Sequence, residues 1–182
     1  MRKLLSLLVI VVAFPAFAAQ WKVNEEKSAL TFSGKQTQEI FHGSFKKFAS
    51  EIDFDEKKPE DAHIRITVDM ASVTVDGKDR AEALPTDEWL NVKKFPVAEF
   101  TSAQVRKTGD HEYEALGDLT LHGVSKTIAL PFRLTTKNGV TEVDGSVELL
   151  RNDYRIGAGR WADDQWVAFP VNVQFHLTAT PK

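Results

Sequence analysis

Hydrophobic and polar residues alternate strictly near the end of the chain. Val167, Phe169, Val171, Val173, Phe175 and Leu177 share one parity, and Ala168, Pro170, Asn172, Gln174, His176 and Thr178 the other. A period of two over this length predicts a β-strand from Trp166 to Thr178 with one apolar and one wetter face. A strand of about 12 residues reaches ~40 Å, long for a small sandwich. It calls for a comparably long sheet and for something to cover its apolar face. Pro170 has no N–H to give a ladder, which places it at an edge or a bulge.

The same period recurs along most of the chain. Gln20 to Val23 suits a first short strand and Ala29 to Ser33 a second, with Leu30 and Phe32 on one face. Glu39 to Phe48 carries Phe41, Gly43 and Phe45 on one parity, where the glycine lets another group approach closely. Ile52 and Phe54 lead into a turn at Asp55 to Pro59, after which Ile64, Ile66, Val68 and Met70 share a face. Val97 to Arg106 alternates less cleanly. Gly109-Asp110 reads as a turn into Glu112 to Leu121, where Gly117 is a candidate bulge. His122-Gly123 reads as a tight turn and Asn138-Gly139 as the strongest two-residue hairpin signal. Between them Ile128, Leu130, Phe132 and Leu134 share a face, and Val143 to Leu149 alternates in the same way.

Ser72 to Pro96 breaks the pattern. Helix formers run from Asp79 to Leu84, and Thr86 to Leu90 reads as a single turn capped by Thr86, with Asp87 and Glu88 behind the cap. About 25 residues make a long crossover for a compact domain, with room for two short helices that plug a barrel end. The remaining segments count as about eight or nine antiparallel strands joined by short hairpins. The expected fold is all-β: an extended antiparallel barrel of about eight strands, with short helices in one crossover. A two-sheet sandwich is the alternative. Closure is favoured because it removes the edges that long strands expose.

The N-terminus belongs to another class of sequence. Arg2 and Lys3 precede an apolar run from Leu4 to Phe14, and Ala16-Phe17-Ala18 places small residues where a signal peptidase reads. Residues 1–18 are expected to be a cleaved signal peptide and 19–182 one domain, exported to the periplasm. A retained anchor is the competing reading, against which the run is short for a membrane span. The chain contains no cysteine, so lipidation at a cysteine, disulfides and thiol chemistry are excluded. The core must hold together by buried area alone. The formal net charge of −3 becomes more negative once Arg2 and Lys3 are removed. No basic tract suggests a nucleic-acid partner.

Candidate chemistry is sparse. His42, His63, His111, His122 and His176 lie at no zinc-ligand spacing from one another or from an acid. No serine sits in a nucleophile elbow. Gly157-Ala158-Gly159 lacks the lysine and the following helix of a phosphate loop. No catalytic residue, metal ligand or cofactor is therefore assigned. The twelve phenylalanines carry more information, although two of them, Phe14 and Phe17, fall in the leader. The others mostly lie in strands, either as packed core or as the lining of a long apolar ligand; periodicity alone does not separate the two.

Asp76 to Arg80 and Arg151 to Arg155 stand out as charged clusters. They read as solvated turns with salt bridges, or as a mouth that positions the polar end of a ligand and pins the crossover. Arg80 is the candidate for an anionic head group. Trp161 and Trp166 either pack a loop or flank an opening.

Taken in order, these segments resemble the YceI-like family of secreted, polyisoprenoid-binding bacterial proteins. The resemblance spans the mature chain and rests on Trp21 with Ser28 to Phe32, Phe41-His42-Gly43-Ser44-Phe45 with Ile52-Asp53-Phe54, Asp79-Arg80, Leu84 with Trp89-Leu90, Lys94-Phe95-Pro96 and Phe100-Thr101-Ser102. Its sharpest part runs from Gly117 to Lys126, and Arg151 to Gly157 resembles a later family motif. The resemblance implies a lipocalin-like barrel with an apolar channel for polyprenyl chains, isoprenoid quinones or other long lipids, and no catalysis. It carries Phe32, Phe45 and Phe100 to apolar motif positions beside the channel, and Arg80 to the basic position of the crossover. The usual Arg-Asp step reads Arg80-Ala81 here, with Asp79 before the arginine instead. To these the alternation adds Phe169, Val171, Val173 and Phe175.

The expected function is non-enzymatic binding, transport or storage of a long-chain isoprenoid lipid, the ligand standing in place of any cofactor. Lipid exchange implies transient contact with a membrane or a membrane protein. Oligomeric state, a homodimer included, is open. Two other classes compete: a stress-related interaction module with a packed core, and a hydrolase or isomerase acting on a small apolar substrate. A continuous internal cavity counts against the first, and an interior without convergent polar groups counts against the second.

Overall fold

The computed structural model describes residues 20–182; the predicted signal peptide lies outside the described residues. Eleven strands form one sheet. They are β1 (Gln20–Val23), β2 (Ala29–Gln36), β3 (Glu39–Phe45), β4 (Phe48–Asp53), β5 (His63–Asp69), β6 (Val73–Val75), β7 (Val97–Gly109), β8 (Glu112–Leu121), β9 (Val124–Lys137), β10 (Val140–Leu150) and β11 (Val167–Pro181). One helix, α1 (Lys78–Ala83), lies between β6 and β7.

Eight of these strands close a ring. The order β1-β4-β5-β7-β8-β9-β10-β11 returns to its start because β11 also pairs with β1, every pairing being antiparallel. This is the expected closed, lipocalin-like barrel of eight strands. The long last strand organises the closure. Its C-terminal end pairs β1 through Ala179 to Pro181, and the stretch before it pairs β2 through Val167 to His176. Between β1 and β2, both of which pair with β11, lies a 3-10 turn over Glu25–Lys27 capped by the Asn24 side chain. β3 and β6 then extend the sheet from β2.

The turns follow their residue chemistry. His122 and Gly123 have φ of 51° and 74°, and Asn138 and Gly139 of 53° and 77°, the paired positive values of two-residue hairpins. The turn expected at Gly109-Asp110 falls one residue later, where His111 takes φ 57°. A bulge does occur at Gly117, but the extra residue, Ala103, is on β7: Ser102 pairs Gly117 and Gln104 pairs Leu116. That insertion explains the weak alternation of β7. On β11 the ladder to β2 is interrupted between Val167 and Val171, while Leu150 of β10 still pairs with Pro170. The missing N–H of Pro170 thus falls in a bulged segment, as its chemistry requires.

The crossover differs from its expected form. Its first part pairs with β3 as strand β6, and only α1 is helical. Thr86 caps no second helix. Its hydroxyl donates to the carbonyl of Ala83 at 2.6 Å, and residues 86–90 form successive turns. β6 does not pair with β7, so the sheet is open there, and the crossover spans the gap.

Two packed clusters fill the ends of the barrel. Toward the turns at His111 and Asn138, Tyr113 stacks on Phe132 and Phe54 meets both edge-on, with centroids 5.2 to 6.2 Å apart, around Val105 and Ala115. Toward the crossover, Met70, Leu90, Ala98, Tyr154 and Ile156 form the second cluster.

Candidate functional site

Alternation puts one side of each strand inside the ring, and an apolar cavity of about 280 Å³ runs between the two clusters. Its lining extends from Trp21, Leu134 and Ala179 at the hairpin end to Leu84, Trp89 and Tyr154 at the crossover end. Along β11 it runs from Val167 to Ala179, which is ~40 Å of strand. The volume is near the lower end of ligand sites, about 300 to 1,000 Å³.

Three glycines keep the interior from filling. Phe32 pairs directly with Gly43, Phe41 with Gly34, and Phe175 with Gly145. A Cβ on Gly43 or Gly145 would stand 2.2 Å from the Cζ of the facing ring, and one on Gly34 2.5 Å. Each phenylalanine therefore lies down across its neighbour's bare backbone instead of standing into the lumen. The pairing of ring with glycine also supports a strand that glycine would otherwise weaken.

Six of the eight residues singled out from the sequence line this cavity: Phe32, Phe45, Phe100, Val171, Val173 and Phe175. Two do not. Phe169 falls in the irregular stretch of β11, where strict alternation fails, and its ring covers the Arg151 guanidinium at 5.1 Å. Arg80 lies outside the lining as well. It pins α1 to the β2–β3 hairpin, with Nε donating to the Asp76 carbonyl at 2.8 Å, Nη1 to Gln36 Oε1 at 3.0 Å and Nη2 to Glu39 at 3.2 Å. Glu39 first, with Asp76, raises its pKa. Of its two expected roles, holding the crossover is the one its contacts perform.

Trp89, Arg151 and Tyr154 line the cavity but were not singled out individually from the sequence, although the Arg151 to Arg155 cluster was one candidate for a mouth. Arg151, placed there in a charged cluster, is 4% exposed and lines the cavity. Its guanidinium donates to the carbonyls of Ile156 (2.9 Å), Asp163 (2.6 Å), Val167 (2.7 Å) and Ala168 (3.2 Å). Burial pulls its pKa below the ordinary arginine value, with Asp163 and Asp164 opposing. Trp89 lies 5.5 Å under it and also stacks on Trp161, whose Nε1 donates to Glu88. Tyr154, buried beside them, has its pKa raised by that burial and remains a neutral phenol. Trp89 and Tyr154 fall in segments that the sequence marks, Trp89-Leu90 and Arg151 to Gly157, but their meeting in one cluster joins segments far apart in the chain.

Other polar lining groups are already engaged. Thr141 shares a hydrogen bond with Thr136 at 2.8 Å, and Glu99 accepts from Arg65 at 2.7 Å on the outer side. Among the described residues no group of three or more histidine, aspartate or glutamate side chains is placed to hold a metal.

A YceI-like domain model matches residues 21–179, nearly the whole described chain. The chain belongs to the YceI-like family. It is 32% identical over 171 residues to Protein YceI of Salmonella arizonae, covering 87% of each chain. The crystal structure of Burkholderia cenocepacia BcnA superposes with a TM-score of 0.84 at 30% identity, over 87% of this chain and 100% of that one. A polyisoprenoid binding domain from Saccharophagus degradans, implicated in plant cell wall breakdown, shares the fold with a TM-score of 0.67 at 16% identity, over 91% of this chain and 99% of that one. In this YceI-like barrel, the residues that distinguish the crossover end are Trp89, Arg151 and Tyr154.

Proposed function

We propose that this protein binds a long isoprenoid-class lipid inside its barrel and carries or stores it without chemical change, in the periplasm after export. The observation that carries this reading is the continuous apolar lining between two packed ends of a closed barrel. Each buried methylene of such a ligand contributes about 0.8 kcal/mol, so an apolar chain is held without a charged contact. The Saccharophagus neighbour, described as polyisoprenoid binding, supports the choice of lipid class. The almost wholly apolar lining weighs against a hydrolase or isomerase, which needs several convergent polar groups.

The test is mass spectrometry of the mature protein purified without detergent from the exported fraction of its host. An intact stoichiometric adduct whose extracted mass fits a polyprenyl species is the expected result. A protein that arrives empty and takes up neither quinones, prenyl phosphates nor fatty amides on titration would overturn the proposal.

A further inference from the structure

Phe54 follows β4 with the inward parity of Ile52, and the chain then turns away through Asp55, Glu56, Lys57 and Lys58. In the closed ring β4 and β9 lie four strands apart in either direction, so they face each other across the lumen. The Phe54 ring nevertheless meets Phe132 of β9 at 6.2 Å between centroids, and Tyr113 of the adjoining β8 at 5.2 Å. The contact spans the bore, and Ala62, Val105 and Ala115 pack around it in the same buried cluster. Two hydrogen bonds hold this end together. Trp21 Nε1 donates to the Phe54 carbonyl at 2.9 Å, and the Tyr113 hydroxyl donates to Glu56 Oε2 at 3.3 Å, drawing the turn over the rings.

One layer of side chains separates two different surroundings here. Trp21 and Phe54 line the apolar cavity, and the same two residues line a surface depression whose other walls are Asp55, Glu56, Lys57 and Lys107. On the inner side, each methylene of a bound chain removed from water contributes about 0.8 kcal/mol. On the outer side the walls are charged and wet, and added hydrocarbon gains nothing comparable. The crossover end is built differently, since the sheet is open between β6 and β7 and the crossover fills the gap. The hairpin end is the fixed one: two of its three rings stand on the β8–β9 ladder.

We propose that Phe54, backed by Tyr113 and Phe132, sets the maximum length of hydrocarbon chain that the barrel accepts. The stop acts on whichever end of a ligand reaches it, and a longer chain leaves part of its length in water. This assignment rests on the lipid-binding reading, and its test separates the two.

The mature protein is equilibrated with phosphatidylcholine vesicles that hold an equimolar series of all-trans polyprenols, from geranylgeraniol to dodecaprenol. Native mass spectrometry reads which lengths it has taken up. The bilayer offers every prenyl unit the same apolar surroundings and the hydroxyl is constant, so fit to the barrel alone separates the lengths. In the wild type the bound share is expected to fall about tenfold or more from one length to the next once the chain outgrows the cavity, the effect of two methylenes left in water. Phe54→Ala removes a ring of six carbons where a prenyl unit brings five, and moves that fall one unit toward longer chains. Phe54→Leu keeps a buried aliphatic side chain, folds more safely, and raises the share of the first excluded length about threefold. A merely structural phenylalanine lowers melting temperature and total occupancy in the variants and leaves the length profile as it was. That unchanged profile, or a wild-type profile with no fall, overturns the stop while the lipid reading stands. Uptake of no polyprenol by the wild type overturns both proposals.

Discussion

Phe32 lies flat across Gly43 on the neighbouring strand, so close that a Cβ there would stand 2.2 Å from the ring tip. Three such pairs line the interior, and they separate two consequences of filling a glycine. At Gly34 the atoms nearest the added methyl all belong to the ring of Phe41, which can swing into the lumen; at Gly43 the backbone oxygen of Thr74, at 2.6 Å, is among the nearest. Gly34→Ala is therefore expected to keep most of its stability, within about 1 kcal/mol, and to lose ligand capacity as the ring moves inward. Gly43→Ala is expected to cost more than about 2 kcal/mol because a ladder must shift. Denaturant melts and lipid uptake of the two variants measure both effects, and equal destabilisation would count against this account.

The parity of β11 makes a sharper contrast between adjacent residues. Val173 faces the cavity, whereas Gln174 faces solvent. Val173→Phe fills space that is empty without ligand, so it is expected to reduce lipid uptake severalfold with little loss of melting temperature. Gln174→Phe places the same ring outside and leaves uptake at the wild-type level. Titration with a fluorescent lipid analogue compares them directly.

Arg80 ties α1 to Gln36 and Glu39 of the β2–β3 hairpin. The ion pairs are partly exposed, and such pairs contribute about 0.2 to 1 kcal/mol each. Arg80→Ala is expected to lower the global melting temperature by only a few degrees while raising amide exchange across residues 76–84. Exchange in β8, β9 and β10 stays unchanged. Uniform acceleration across the barrel would show that the arginine supports the whole fold and not the crossover alone.

Alkaline stability follows from the two buried tyrosines. Burial, as the larger cause, raises the pKa of Tyr113 and of Tyr154 above the ordinary 10.0, with Glu56 and Asp153 adding to it respectively. A group whose pKa is raised by folding holds its proton more tightly in the native state. The stability it contributes is complete below pH 10 and declines as pH rises from there through the native pKa. Urea midpoints are thus expected to fall above about pH 10 in the wild type, and less steeply in Tyr113→Phe. A decline of equal slope in both would remove Tyr113 as a cause.

How much of this was legible beforehand depends on the range of the interaction. The long strands, the face each buries, and the hairpin turns at His122-Gly123 and Asn138-Gly139 are properties of a few consecutive residues, and a local reading reaches them, whereas the three-residue β6 inside the crossover escaped it. The apolar side of the candidate site, Phe32, Phe45, Phe100, Val171, Val173 and Phe175, was legible in the same way, because inward parity is enough to place them. Phe169 shares that parity and still leaves the lumen, since the break in register against β2 is set by the partner strand.

Outside the irregular stretch around Phe169, the sequence by itself determined which strand side chains would turn inward and that the strands would be long enough to enclose a space, because a period of two is written residue by residue. Only the tertiary structure decided what that space is. Closure of β11 onto β1, the meeting of Phe32, Phe41 and Phe175 with glycines across the sheet, and the gathering of Trp89, Arg151 and Tyr154 at one end all join residues distant in the chain. Such meetings depend on register and ring closure, and one inserted residue such as Ala103 changes a register without leaving a mark in composition or periodicity that names its partner.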